Sequence, residues 1–129
     1  MTSATPIKPT DSELEILRVI WQSGPSSVRH VNDELNQIRK VGYTTTLKLM
    51  QIMHEKGLLE RQEQGRMHIY RPAIREEETQ NLLLDTFLET AFSGSAMQLA
   101  MQALGKHKTT PEELEVLKSL IRKIEKDQK

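Results

Sequence analysis

Residues 42–72 read GYTTTLKLMQIMHEKGLLERQEQGRMHIYRP, and the hydrophobic period changes at Gly57. Before it, Thr46, Leu49, Met50 and Met53 recur at i, i+3, i+4 and i+7, which places them on one face of a helix from about Thr44 to Lys56. The opposite face carries Thr44, Lys48, Gln51 and Glu55, with Leu47 and Ile52 on its flanks. Gly57 is the residue type that commonly closes a helix. Beyond it the chain alternates: Leu59, Arg61 and Glu63 interleave with Leu58, Glu60 and Gln62, Gln64-Gly65 punctuates, and Met67 to Arg71 alternates again. The pattern predicts a β-hairpin with Arg66 at its tip, closed by Pro72.

Upstream, Thr10-Asp11-Ser12-Glu13 is a capping box, in which the Thr10 hydroxyl accepts an orphan N–H and Glu13 reaches back. It opens a helix whose apolar face is Leu14, Leu17 and Trp21, with Ile16 and Ile20 alongside, and Gly24-Pro25 stops it. A second helix is predicted from about Ser27 to Arg39, on Val28, Val31, Leu35 and Ile38, and Gly42 breaks it. Downstream the chain reads as helical throughout. Glu76, Glu77 and Glu78 oppose a helix dipole, and Leu83, Phe87 and Ala91 with Leu84 and Leu88 form an apolar face as far as Gly94. A short helix follows on Met97, Ala100, Met101 and Leu104, stopped by Gly105. Thr110-Pro111-Glu112-Glu113 then starts a last helix with the narrow stripe Leu114, Leu117, Ile121 and Ile124. A narrow stripe on a terminal helix is suited to docking on a second subunit.

The whole chain has 129 residues, 36% hydrophobic and 4% aromatic, with 18 Lys and Arg against 18 Asp and Glu and no Cys. That length suits one domain, or one domain with an appendage. The absence of Cys excludes a disulfide scaffold, a thiol nucleophile and any thiolate metal site. Four scattered His show no ligand spacing, so neither a metal nor a cofactor is expected; methionines such as Met50, Met53, Met97 and Met101 at helical spacing fill cores. No segment approaches the roughly 20 apolar residues of a membrane span, and a cytoplasmic location is expected. There is no nucleophile motif and no phosphate-cradling glycine loop, which argues against an enzyme. The hydrophobic fraction is small for a self-sufficient core, which invites a partner chain.

Charge is unevenly spread. Residues 1–75 carry 11 basic and 8 acidic side chains, net +3, and residues 76–129 carry 7 and 10, net −3. Between Arg29 and Arg75 nine basic residues stand against five acidic ones. Such a segment is compatible with phosphate contact, but on charge alone an ordinary solvated surface accounts for it better.

Helix, helix, turn, helix, hairpin is the order of a winged helix-turn-helix, in a mainly α chain with one small hairpin. An α-helix fits the B-DNA major groove, and a basic hairpin beside it can follow the neighbouring backbone or minor groove. The third helix would then read and the hairpin clamp. Lys48 and Gln51 can donate to base edges or phosphate, the Thr44 and Thr45 hydroxyls and Tyr43 can bond phosphate, and Leu47 can touch a thymine methyl. Arg39, Lys40, Arg61 and Arg66 suit phosphates, and His54 and His68 can approach DNA or each other. The same surface also fits a winged helix used as a protein-interaction module, with the hairpin meeting an acidic partner.

The segments Pro9 to Leu17, Ile20-Trp21, Ser27-Val28-Arg29, Tyr43 to Thr46, Glu55 to Leu58 and Gly65 to Tyr70, in that order and spacing, resemble the penicillinase-repressor family of the BlaI/MecI type. The resemblance covers almost the whole chain and tapers after Phe92. It implies a homodimeric repressor on a palindromic operator, divided into a flexible N-terminus at 1–9, a winged-helix DNA-binding domain at 10–74 and a helical dimerisation region at 75–129. The dimer interface then falls on Leu83, Phe87, Met97, Met101, Leu114, Leu117, Ile121 and Ile124. In antibiotic-responsive members a membrane sensor-protease triggers cleavage in the C-terminal region. The Asn-Phe bond of the staphylococcal members aligns near Gln102-Ala103, where the pair differs, and the Cys-x-Cys metal hooks of copper-responsive relatives have no counterpart in a chain without Cys.

Overall fold

The computed structural model describes residues 7–128. Of the N-terminal segment expected at 1–9, residues 1–6 lie outside the described residues, while Pro9 at its end is buried. The elements are α1 (Asp11–Ser23), α2 (Val28–Asn36), α3 (Tyr43–Lys56), β1 (Leu59–Gln64), β2 (Met67–Pro72), α4 (Glu76–Phe92), α5 (Ala96–Lys106) and α6 (Pro111–Asp127). Two compact units divide within α4, between Asp85 and Thr86.

In the first unit, α1 begins at the capping box, with both reciprocal bonds of Thr10 and Glu13 made. It buries Ile16, Leu17 and Ile20 completely. Those three meet Val28, Val31 and Leu35 of α2, Met50 and Met53 of α3, and Leu58, Leu59 and Tyr70 of the hairpin in one core. Each such side chain contributes about 1.5–3 kcal/mol by leaving water. Trp21, expected in this core, is half-buried and packs against its edge, and its indole N–H donates to the Ile74 carbonyl at 3.2 Å, tying the hairpin exit to α1.

The second helix is shorter than its apolar spacing predicts. It ends at Asn36, whose side chain bonds the Asn32 carbonyl at 2.7 Å and both the carbonyl and the N–H of Val41, at 2.9 and 3.2 Å. The amide thereby holds the chain after the helix end, supplying the Val41 N–H with an acceptor that a continued helix would have provided from its own backbone. Ile38, expected on the buried stripe, lies past the helix end and is 74% exposed. Gly42 caps the start of α3 instead of merely breaking α2.

β1 and β2 pair antiparallel, with Leu59 opposite Pro72 and Gln64 opposite Met67, so a two-residue turn at Gly65-Arg66 connects them. Gly65 stands at φ 63°, a conformation that costs glycine little. The hairpin is anchored by a feature the sequence pattern did not announce: Ser26 and Tyr70 exchange backbone bonds of 2.8 and 2.9 Å, joining the wing to the chain just before α2.

In the second unit, α5 starts at Ser95 and α6 at the Thr110-Glu113 capping box. α5 runs through Gly105, expected to stop it, to Lys106; one glycine in a helix costs only about 1 kcal/mol relative to alanine, and the chain turns extended at His107. Among the described residues from 86 onward none is buried. Among the described residues no helix is long and apolar enough to cross a membrane.

Candidate nucleic-acid interface

α3 sorts its side chains as the spacing requires. Thr46, Met50 and Met53 are buried, whereas Thr44, Lys48, Gln51 and Glu55 are exposed on the opposite side. Gly57, at φ 88° and ψ 12°, ends the helix in the left-handed conformation and lets the hairpin follow at once.

Two polar links fix the setting of this helix. The Asn32 amide of α2 donates to the Thr46 hydroxyl at 2.8 Å and to the Val41 carbonyl at 3.2 Å, so the α2–α3 turn and the first turn of α3 hang on one buried side chain. At the other end, Lys56 donates to both carboxylate oxygens of Glu13, at 2.7 and 3.0 Å. Glu13 is 2% exposed. Burial raises its pKa, but the bonds from Lys56 and from the Thr10 N–H outweigh it, and the carboxyl is held below the ordinary glutamate range. A residue read from sequence as a helix cap thus also clamps α3 to α1.

Between the start of α2, the outer side of α3 and the wing opens a cleft of about 460 Å³, with Tyr70 in its wall. Tyr43, Leu47 and Gln51 of α3 line it together with Arg66 and His68 of the hairpin. These five were named from sequence. Thr44, Thr45 and Lys48 are exposed on α3, and Lys40 is exposed in the preceding turn. Arg61 is exposed on β1 opposite Tyr70 and does not line the cleft.

Arg39 is ion-paired with Glu15 of α1, a bond that in turn lowers the pKa of Glu15. The histidines are not brought together. His54 contacts the Leu59 carbonyl at 3.2 Å and His68 the Glu63 carboxylate at 3.3 Å. The cleft also takes in Arg29, whose guanidinium lies 5.8 Å from the centre of the Tyr43 ring. The sequence marks Arg29 among the basic residues and in a segment of the family resemblance but not as a contact residue; its place two residues beyond the α2 cap was the available signal. Among the described residues no group of three His, Asp or Glu is placed to hold a metal.

The residues expected at a dimer interface are set out along three helices. Leu83 and Leu117 are half-buried, while Phe87, Leu114, Ile121 and Ile124 are exposed, and so are Met97 and Met101, whose helical spacing points to a core but which are 68% and 67% exposed. Leu120, not singled out by spacing, is exposed beside them. Gln102 and Ala103 are exposed within α5.

A three-helix domain with a hairpin wing and an exposed, partly basic third helix defines a winged helix-turn-helix transcriptional regulator. The family described as Penicillinase repressor matches residues 9–123, and the chain belongs to that family. It is 24% identical to the penicillinase repressor of Bacillus licheniformis over 112 residues, covering 87% of this chain and 88% of that one. It is 30% identical to the transcriptional regulator BlaI of Mycobacterium tuberculosis over 87 residues, 66% of this chain and 63% of that protein. Among solved structures, the solution structure of the DNA-binding domain of the repressor BlaI superposes with a TM-score of 0.50 at 28% identity, covering 55% of this chain and 87% of that one.

Proposed function

We propose that this repressor binds a palindromic DNA operator as a homodimer, with residues 10–74 contacting DNA and residues 75–129 joining the two chains. One observation carries the DNA contact: the exposed face of α3 and the tip of the wing border the same cleft, with Arg66 on its rim. Lys48 and Gln51 reach base edges, and Leu47 offers a methyl-sized apolar contact. Tyr43, Thr44, Thr45, Lys40, Arg61, Arg66 and His68 meet sugar and phosphate. Arg39 joins them by exchanging Glu15 for phosphate.

Dimerisation is supported by the state of the C-terminal helices. Ten large apolar side chains between Leu84 and Ile124 are exposed, and no described residue from 86 onward is buried. That many large apolar side chains left in water mark an interaction site. A second copy covers it at the least cost in specificity, since one self-complementary patch suffices for a two-fold pair. One winged helix makes few base contacts, and linking two raises the effective concentration of the second half-site. Separating the C-terminal helices therefore releases the operator. A membrane sensor-protease that cuts near Gln102-Ala103 would achieve this after opening α5. The genes governed are those of β-lactam resistance on this reading.

The test is operator binding by the full chain against excess competitor DNA. Lys48→Ala and Gln51→Ala are each expected to weaken specific binding by about 1–3 kcal/mol without changing the fold. Undiminished affinity in both moves the reading surface elsewhere.

A further inference from the structure

Of the cations available to DNA, Arg39 must first leave the Glu15 carboxylate, whereas Arg29 is in none of the ion pairs among the described residues. Arg29 is exposed on the cleft, with its guanidinium over the Tyr43 ring. We propose that Arg29, held over Tyr43, forms a phosphodiester-binding subsite that grips the DNA backbone at the mouth of the cleft. The inference rests on the DNA-binding reading above and adds a contact from α2 to those assigned to α3 and the wing.

The chemistry of the pair supports this. The attraction between the guanidinium and the ring uses none of its N–H donors in a hydrogen bond, and its planar fork matches two phosphate oxygens. The contact with the ring also restrains a long side chain before the ligand arrives, which lowers the entropy lost on binding. Arg66 enters the same cleft from the wing, so a phosphate there meets positive charge from two elements. Gln51 lies on the same wall, and a backbone held at Arg29 brings the adjoining base edges within reach of α3. The nearby Ser27 hydroxyl accepts from the His30 N–H as the α2 cap.

The experiment measures binding of the full chain to a fluorescein-labelled random duplex of about 30 base pairs, with salt varied between about 50 and 200 mM. Arg29→Gln is expected to weaken binding by about five-fold, to the same degree for any duplex sequence, and to reduce the slope of log affinity against log salt by about 0.9. Arg29→Lys keeps the charge and restores the slope, but recovers only part of the affinity, because an ammonium lacks the fork. Tyr43→Leu weakens binding with the slope unchanged. An Arg29→Gln slope equal to that of the wild type overturns the subsite, and so does a change in base preference. Wild-type binding that ignores salt altogether sinks the DNA-binding reading instead, so the two failures are distinguishable.

Discussion

Thr46→Val removes one hydroxyl and leaves shape and β-branching unchanged, yet it strikes the link that sets the pitch of α3. Thr46 is 1% exposed, and its oxygen accepts from Asn32 at 2.8 Å. The Asn32 amide has two N–H donors; after the substitution one keeps the Val41 carbonyl and the other has neither hydroxyl nor ready water. An unpaired buried donor costs about 1–3 kcal/mol, and the new methyl offsets part of it. The expected net loss is about 1–2 kcal/mol, which for a domain of this size lowers Tm by roughly 5–10 °C. Because α3 loses its registration to α2, specific operator affinity falls while binding to random duplex does not. Differential scanning calorimetry and fluorescence anisotropy measure the two effects. A Tm and an operator affinity both equal to the wild type would falsify the claim that Asn32 positions α3.

Three further outcomes follow from particular contacts. Leu117→Asp, on the α6 stripe, is expected to convert dimer to monomer in analytical ultracentrifugation and to abolish operator binding; a persistent dimer contradicts the interface. Arg66→Ala should weaken binding to all duplexes alike, and a shift in base preference would mean that the wing reads sequence. The lowered pKa of Glu13 has a definite sign: a carboxyl whose folded pKa is depressed stabilises the fold above its unfolded pKa, and that contribution is lost as pH falls through the folded one. Glu13→Gln should therefore flatten the acid loss of stability below about pH 4.3, with a weaker slope of the same sign remaining from Glu15. Parallel acid titrations of wild type and variant would contradict it.

Periodicity carried the elements that pack along their whole length. Thr46, Met50 and Met53 pointed α3 inward, and Gln64-Gly65 located the hairpin turn, because one buried face and one tight turn leave few alternatives. Where side chains replace backbone bonds the pattern misleads. Ile38 fits the period of α2, but the Asn36 and Asn32 side chains bond the Val41 backbone and hold the chain in a turn where the pattern alone would have continued the helix. Pairings distant in sequence leave no local trace: Glu13 with Lys56, Ser26 with Tyr70 and Arg29 with Tyr43 each depend on how the helices cross. For that reason α3 and the wing were legible as the interface, while Arg29 and the two links that position α3 emerge only from the folded chain.

The most direct test of the paired reading helices is recovery of bound fragments from sheared genomic DNA by the full chain at low salt, followed by sequencing. The account predicts an enriched inverted repeat whose half-site centres lie about 10 base pairs apart, or a multiple of that spacing. Recovery of fragments with no shared sequence, or of single unpaired half-sites, would contradict it.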